Sequence, residues 1–413
     1  MSAFAPLRHA PFRFLVIGRT INMVGNAVAP LALAFGVLDL THSARDLGLV
    51  VAARSATNVL FVLLGGVIAD RLPRRFVMIA SALLAALTQG MVAALFFTHH
   101  ATVPLLMALG ALNGAVAAFS FPAVAAIQGQ VVPDEIRQQA NALNRLSINI
   151  VGVGGAVIGG ILVASVGSAW SITVDALTFA LSAVFFALIR VPDIRDASQP
   201  KTGMLHELRV GWREFAARTW LWAVVLGFTV LNALLAGSIG VLGPTIADQT
   251  FGRAGWGLSA GAELAGLALG GIVALRLKSR RFLLVGVLAM VGVVPFVAVL
   301  GAAPYLPLVI GTALVAGVGI EVFGVAWETS MQRHVPADLL ARVYSWDILG
   351  SIVAVPLGQV AAGGAADALG TEGALLAAAV LSALAIAGMV LTPAVRRLDN
   401  TPVVAPQPQT VPA

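Results

Sequence analysis

Apolar segments of about 20 residues recur along the whole chain, and each is long enough to cross the ~30 Å hydrocarbon core of a bilayer as a helix. Apolar segments inside soluble proteins are usually shorter than this. The pattern therefore predicts an all-α membrane protein with twelve transmembrane helices. The predicted spans are approximately 12–38, 47–69, 76–98, 102–129, 141–165, 169–190, 219–246, 256–277, 282–301, 304–329, 343–366 and 372–394.

The composition agrees with a bilayer environment. Hydrophobic residues make up 59% of the 413 residues and charged residues only 11%, whereas soluble proteins carry roughly 25% charge. The chain has no cysteine, which excludes disulfides, thiolate metal sites and cysteine nucleophiles. The net charge of +6 is explained by attraction to anionic lipid headgroups, so we expect the lipid bilayer, and no nucleic acid, as the partner.

The distribution of lysine and arginine predicts the orientation of the helices. With the N-terminus in the cytoplasm, 20 of the 25 Lys and Arg residues fall on the cytoplasmic side. Only Arg45 and Arg253 fall in segments on the opposite side, while Arg19, Arg54 and Arg145 fall within spans. Cytoplasmic segments of membrane proteins are enriched in these residues, so we expect both termini to be cytoplasmic.

The second half of the chain repeats features of the first half at an offset of 203 to 205 residues. Each correspondence alone is weak, but three of them occur in the same order. An even number of helices in each half makes the repeat parallel, and such repeats place a site between the halves near the midplane. The paired segments are 66–75 with 271–281, 132–136 with 335–339, and 159–167 with 363–370.

The repeat divides the chain into four predicted regions. They are an N-terminal six-helix half at 1–190, a cytoplasmic linker at 191–218, a C-terminal six-helix half at 219–395 and a cytoplasmic tail at 396–413. The second part of the linker has apolar residues at helical spacing among arginines, which is typical of an amphipathic interfacial helix. We interpret the linker as a tether, with a regulatory role as the alternative, and expect the tail to be disordered.

A short basic loop between the second and third spans contains Gly66, Asp70 and Arg71, followed by Arg74 and Arg75. This loop resembles the signature loop of the major facilitator superfamily, although Pro73 stands where that family usually has glycine. Further segments, among them Phe121-Pro122-Ala123 and 327–332, are similar to the subgroup that contains the enterobactin exporter and macrolide efflux pumps. This resemblance covers residues 7–395. It implies two parallel six-helix repeats, a monomer in the bacterial inner membrane, and secondary transport without a cofactor.

Two motifs carry functional expectations from this resemblance. The basic loop comprises Gly66, Asp70, Arg71, Arg74 and Arg75, and ion pairs at such a loop can act as a latch that forms in one transporter state and breaks in the other. The alternative for the arginines is that they only follow the cytoplasmic charge rule.

The second motif is a glycine run in the fifth span, comprising Gly155, Gly159 and Gly160. Small residues allow helices to approach closely, which is its structural interpretation. The run also resembles the antiporter motif of the superfamily, with Ala156 in place of its proline.

Polar residues within the spans are costly in hydrocarbon, so each is a candidate for the transport site. The alternative is that they hold helices together, for example through an Arg54–Asp175 pair or through asparagine hydrogen bonds. The candidates for a substrate cavity are Arg19, Asn22, Asn26, Arg54, Asn58, Asn113, Asn149, Asn232, Trp327 and Gln359.

Four acidic residues are candidates for proton coupling: Glu321, Glu263, Asp175 and Glu328. A coupling residue must gain and lose a proton during the cycle, and burial brings the pKa of a carboxyl group toward neutrality. Glu321 is the leading candidate, because competition there between substrate and proton would produce exchange. Glu328 lies near the headgroups and has solvation as its alternative explanation.

No arrangement typical of an enzyme is present in the sequence. The six histidines lie outside the spans without metal-binding spacing, and no phosphate-binding loop of the ATPase type occurs. We therefore predict an exporter of small hydrophobic or amphipathic molecules, such as a drug or a secreted metabolite, that is driven by a proton gradient. The alternatives are an importer of a small nutrient and a non-transporting membrane sensor or assembly partner.

The predicted orientation can be tested directly, because the chain has no native cysteine. Single cysteines introduced beside Arg253 and beside Arg280 are treated with a membrane-impermeant maleimide in intact cells. We expect labelling beside Arg253 and protection beside Arg280, because the two positions fall on opposite sides of the membrane. The reverse pattern would contradict the orientation.

Overall fold

A computed structural model describes residues 5–69, 73–128, 131–133, 136–190, 204–336 and 339–399. Within these ranges all regular secondary structure is helical, without a β-strand. A bilayer core offers no water to backbone N–H and C=O groups, and a helix satisfies them within a single segment. The predicted all-α membrane fold is confirmed.

The N half comprises the described part of residues 5–190. A short 3₁₀ turn at Ala5–Arg8 leads into long helices that are joined by brief connections. Helix α1 contains Pro30 in its interior and is 32 residues long. The helices of the N half are α1 (Ala10–Thr41), α2 (Ala44–Ala69), α3 (Arg74–Phe97), α4 (Val103–Gln128) and α5 (Arg137–Leu188).

The C half comprises the described part of residues 219–399, and helix α6 (Met204–Ala216) precedes it. A π-helical turn at Ser238–Leu242 joins two of its helices, and a 3₁₀ turn at Met290–Gly292 joins two others, each shortly before a proline. The helices of the C half are α7 (Thr219–Gly237), α8 (Gly243–Gln249), α9 (Gly252–Arg276), α10 (Phe282–Ala289), α11 (Val293–Ala302), α12 (Leu306–His334), α13 (Leu340–Ile352), α14 (Val355–Leu391) and α15 (Pro393–Arg397).

Two helices are each interrupted by a glycine with positive φ. These glycines are Gly167 in α5, with φ of 82°, and Gly370 in α14, with φ of 75°. Glycine adopts such angles without steric cost, so the chain can reverse at these points. The two glycines occupy equivalent positions in the internal repeat, 203 residues apart, and so tie the sequence repeat to a shared backbone feature.

Nine helical segments of the described chain are long and apolar enough to span a membrane. Two of these, Ile150–Leu188 and Leu340–Leu391, include a glycine turn, as the predicted pairs of spans at 141–190 and 343–394 require. Helix α2 is not among the nine. The arrangement is compatible with twelve spans, and that count stays a prediction.

The helix ends define two faces of the molecule. We call one the Arg253 face: α1 ends there, α9 begins there and both glycine turns lie there. We call the other the linker face, where α1 begins and α6 lies. On the linker face Arg75 donates a hydrogen bond to the carbonyl oxygen of Ala187, which joins the start of α3 to the end of α5.

Helix α6 falls where the sequence predicts an amphipathic linker helix. The Trp212 ring stacks on Phe215, with 5.7 Å between the ring centroids, and lies 4.9 Å from the Trp346 ring of α13. This contact joins the linker helix to the C half. The preceding linker residues 191–203 and the tail residues 400–413 lie outside the described chain.

Candidate transport cavity and its closure

A cavity of about 340 Å³ lies inside the N half, and we call it the N-half cavity. Its lining residues come from α1, α3, α4 and α5, mainly from the parts of these helices nearer the linker face, together with Arg54 of α2. Arg19, Asn22 and Asn26 line it from α1, where spacings of three and four residues place them on one helix face. Asn26 donates a hydrogen bond of 2.7 Å to the Oδ1 atom of Asn22.

A second cavity of about 490 Å³ lies between the two halves, and we call it the central cavity. It adjoins the N-half cavity, because Met23, Asn26 and Arg54 line both. Its wall is largely apolar and includes Trp256 and Phe296 from the C half. Cavities of this size accommodate drug-sized ligands.

Arg54 lies at the junction of the two cavities. Its Nε donates a hydrogen bond of 3.2 Å to Oδ1 of Asn113, and the Asn113 amide donates one of 3.1 Å to the Thr88 hydroxyl. These bonds connect α2, α4 and α3 and fix the direction of the guanidinium group. Arg54 is therefore held in the cavity wall by neutral partners.

Asp175 is fully buried behind this wall. Gln89 donates a hydrogen bond of 2.5 Å to its Oδ2, while its Oδ1 has no hydrogen-bond donor among the described residues. Arg54 attracts Asp175 electrostatically, but no direct ion pair joins the two side chains. Gly25 permits this packing, because a Cβ atom there would collide with Asp175 and Thr178.

The acidic candidates of the C half occupy three different environments. Glu263 of α9 lines the central cavity. Glu321 of α12 lies in the contact between α12 and α9, where a Cβ atom at Gly270 would be 2.8 Å from the Glu321 Cβ atom. Glu328 is exposed and accepts a hydrogen bond of 3.1 Å from Gln332.

Three other cavity candidates join helices instead of lining either cavity. Asn58 donates to the carbonyl oxygen of Gly114 at 3.1 Å, and Asn232 donates to that of Ser351 at 2.8 Å. Trp327 is buried in the C half, and its Nε1 donates to Asp347 at 3.0 Å.

The remaining candidates divide between the central cavity and the undescribed parts of the chain. Gln359 of α14 lines the central cavity. Asp70 and Arg71 of the basic loop lie outside the described residues, and so does the side chain of Asn149. Gly66 lies in the last turn of α2.

An ionic cluster joins the two halves at the Arg253 face. The Arg253 guanidinium forms a bidentate pair with Asp39 at the end of α1, and its Nε bonds Asp248 of its own half at 2.8 Å. The guanidinium carbon also lies 5.0 Å from the centroid of the Phe35 ring, a cation–π contact. Bidentate pairs of this kind are among the stronger ionic contacts in proteins.

Glycines bring the helices of the two halves together near the same face. A Cβ atom at Gly160 of α5 would be 2.7 Å from the Cα atom of Gly257 in α9. A Cβ atom at Gly363 of α14 would be 2.5 Å from the Cα atom of Arg45 in α2. Arg45 also pairs with Asp367 at 3.9 Å. The α5–α9 contact and the α2–α14 contact therefore each depend on a glycine, which has no side chain.

Comparison with known proteins identifies the family. Residues 15–347 match the family model described as Major Facilitator Superfamily. The chain belongs to this superfamily. It is a multi-pass membrane transporter and not an enzyme, as the sequence predicts.

Two superfamily relatives of this chain are exporters. The enterobactin exporter EntS of Shigella boydii serotype 18 is 28% identical over 350 residues, which cover 81% of this chain and 80% of EntS. The multidrug efflux pump Tap of Mycolicibacterium fortuitum is 26% identical over 412 residues, which cover 95% of this chain and 98% of Tap. The predicted resemblance to the export subgroup is confirmed.

Solved structures share the superfamily fold. A bacterial homologue of the human lysosomal transporter Spinster superposes with a TM-score of 0.73 at 17% identity, covering 95% of this chain and 98% of that one. The nucleoside transporter NupG gives a TM-score of 0.69 at 14% identity, covering 92% and 98%. At these identities the likeness concerns the fold alone.

Two residues of this transporter site were not selected from the sequence. Gln89 is the hydrogen-bond donor to Asp175, and it is an amide within the third apolar span, the same signal that selected the asparagines. Ser259 lines the central cavity, and its hydroxyl is buried without a hydrogen-bond partner among the described residues. Serine is common in membrane helices, so its type alone carried no signal.

The ionic cluster predicts a difference between two acidic residues. Asp39→Asn removes a charge that joins the halves, whereas Asp248→Asn removes one from the same half as Arg253. A partly exposed ion pair contributes about 1 kcal/mol, so its loss should make the open state of this face about fivefold more populated. In the Asp39→Asn variant, a cysteine at Ser259 should therefore react about fivefold faster with an impermeant maleimide applied to the Arg253 face. Asp248→Asn serves as the matched control and should change the rate little. Equal rates in both variants would contradict a closing role for the Asp39 pair.

Proposed function

We propose that this chain exports small hydrophobic or amphipathic molecules from the cell by alternating access. The observation that carries the proposal is the central cavity between the halves, with its largely apolar wall and a few polar groups. A cavity between repeats near the midplane is where secondary transporters bind their substrates. The two exporting relatives support the direction of transport.

The proposed cycle moves the two halves about this cavity. In the described state the ionic cluster and the glycine contacts join the halves at the Arg253 face, which we place outside the cell. The N-half cavity extends from the central cavity toward the linker face, which we place in the cytoplasm. This state would therefore receive substrate from the cytoplasm. Export requires the contacts at the Arg253 face to break and contacts at the linker face to form.

The basic loop is the proposed latch on the linker face. Arg75 already binds the carbonyl oxygen of Ala187, so it holds the start of α3 to the end of α5 within the N half. In this proposal Asp70 and Arg71, together with Arg74, form ion pairs to the C half when the cytoplasmic side closes. Such pairs bias the equilibrium between two states without contacting substrate.

Proton coupling is assigned in this proposal to Glu263 and not to Glu321. Glu263 lines the cavity that substrate would occupy, so substrate and proton can compete there. Glu321 lies in the α9–α12 contact instead, beside Gly270 and Gly271. A carboxyl group that exchanges protons with water must become accessible in at least one state, and a cavity wall provides that access.

The export function is tested first by a strain comparison. Cells with and without overexpressed protein are profiled against toxic anionic, neutral and cationic compounds, and inside-out vesicles then measure uptake of a compound that this panel selects. An imposed pH gradient with an acidic lumen should drive its accumulation in the wild-type vesicles. If no compound is selected and no gradient-driven uptake occurs, the export proposal is wrong.

The coupling assignment is tested in the same vesicles with two matched variants. Glu263→Gln should abolish accumulation driven by the pH gradient yet retain downhill equilibration, because a neutral amide can still line the cavity but cannot carry a proton. Glu321→Gln removes an acid of the same half that does not line the cavity, and should keep gradient-driven accumulation. Loss of accumulation in Glu321→Gln alone would transfer the role to Glu321.

A further inference from the structure

In the part of the chain that the structure describes, the N-half cavity is lined by basic residues without acidic ones. Two arginines, Arg19 and Arg54, line it, together with three asparagines and two serines. None of the described residues that line it is an aspartate or a glutamate. Its remaining lining is apolar and includes Phe179 and Phe186. The cavity therefore presents cationic and hydrogen-bonding groups on an apolar background, without an acidic group on its wall.

Arg54 has donor capacity that the protein leaves unused. A guanidinium group carries five N–H donors, and among the described residues the one partner of the Arg54 guanidinium is Asn113, which bonds its Nε. No acceptor among the described residues bonds either of its Nη nitrogens. The nearby carboxylate of Asp175 is bonded to Gln89 instead and is fully buried. The forked end of Arg54 is therefore available to an acceptor that enters the cavity.

Arg19 and Arg54 lie at successive depths along a path from the linker face to the central cavity. Arg19 precedes Asn26 by seven residues, or about 10 Å along α1, on the side of the linker face. Arg54 lies farther from that face, at the junction with the central cavity. An anion that entered from the linker face would meet Arg19 before Arg54. Cavities lined by charge of one sign concentrate ions of the opposite sign.

The central cavity offers a place for an apolar body beyond Arg54. Pro244 and Trp256 of the C half, together with Leu31 of the N half, contribute to its apolar wall. The acid on this wall, Glu263, lies in the half opposite to Arg54 and does not line the N-half cavity. A ligand with its charged group at Arg54 can extend its apolar part into this space.

From these observations we infer that the two cavities select an amphipathic anion, whose oxyanion group (carboxylate, sulfonate or phosphate) passes Arg19 and binds Arg54 while its apolar body occupies the central cavity. Arginine binds such groups bidentately, and the bond is stronger in a site of low dielectric constant. The inference rests on the proposed function, because it takes these cavities as the transport path, and it narrows the substrate class within that function.

Binding of two dyes that share a xanthene scaffold tests the inference without requiring transport. Fluorescein is an anion at pH 8 and rhodamine 123 is a cation, so their difference in affinity reports mainly the sign of the charge. The purified full chain in nanodiscs of zwitterionic lipid should bind fluorescein at least about tenfold more tightly, as measured by fluorescence anisotropy with empty discs subtracted. Equal binding, or tighter binding of rhodamine 123, would overturn the inference.

Variants then locate the binding site. Arg54→Gln should weaken fluorescein binding about tenfold without weakening rhodamine 123, and Arg54→Lys should restore part of the affinity because it keeps the charge. Arg280→Gln is the matched control, since it removes an exposed arginine outside both cavities and outside the contacts of the Arg253 face. If Arg54→Gln does not fold, as judged by thermal unfolding, Arg19→Gln provides the second test. An equal loss in the cavity variant and in Arg280→Gln would overturn the assignment.

An anionic phospholipid could supply the same chemistry as a soluble anion. Repeating the titration in discs that contain phosphatidylglycerol distinguishes them: weaker fluorescein binding there supports the anion site and identifies lipid as an occupant, whereas unchanged binding supports a soluble amphipathic anion. Failure of export is also separable. A protein that binds fluorescein but exports nothing keeps this inference and loses the proposed function, and one that exports only cations does the opposite.

Discussion

Gly160 and Gly257 bring α5 and α9 together with no side chain between their backbones, since a Cβ atom on Gly160 would be 2.7 Å from the Cα atom of Gly257. This approach sets the first turn of α9 near the end of α1, where Arg253 reaches Asp39. In a bilayer, helices gain little from burying apolar surface against each other, so close packing and polar bonds determine how they associate. The closure of one face, and the cavity beneath it, follow from that contact.

Charges in unfavourable places already distinguished several residues of this arrangement in the sequence, although their partners were not predicted. A charged side chain is costly in or across the membrane, so its presence there calls for a partner or a role. Arg45 and Arg253, which depart from the cytoplasmic charge pattern, each form an ion pair with the other half. Arg19 and Arg54, which lie within spans, line the cavities. The glycine turns likewise fall at equivalent points of the predicted repeat.

The sequence could not predict which cavity or which neighbouring helix each polar side chain faces. Helical spacing places residues on one face, but the rotation of that face toward a cavity or toward another helix depends on packing across the whole bundle. Glu263 and Glu321 are both acids within apolar spans of the second half, and the sequence does not distinguish them. In the structure Glu263 lines the central cavity, whereas Glu321 of α12 packs against α9. Asn58 and Asp175 likewise bond to other helices and line neither cavity, whereas Arg54 lines both cavities.

The central claim is that the halves separate at the Arg253 face during each transport cycle. Cysteines at Arg45 and Asp367, whose side chains meet across the halves at 3.9 Å, can be joined by a short reducible crosslinker. Cysteines at Phe97 and Trp170, whose rings are 5.0 Å apart within the N half at the same face, provide the control. Crosslinking of the first pair should stop transport until a reductant is added, and crosslinking of the second should leave it unchanged. Full transport through a crosslinked Arg45–Asp367 pair would contradict the account.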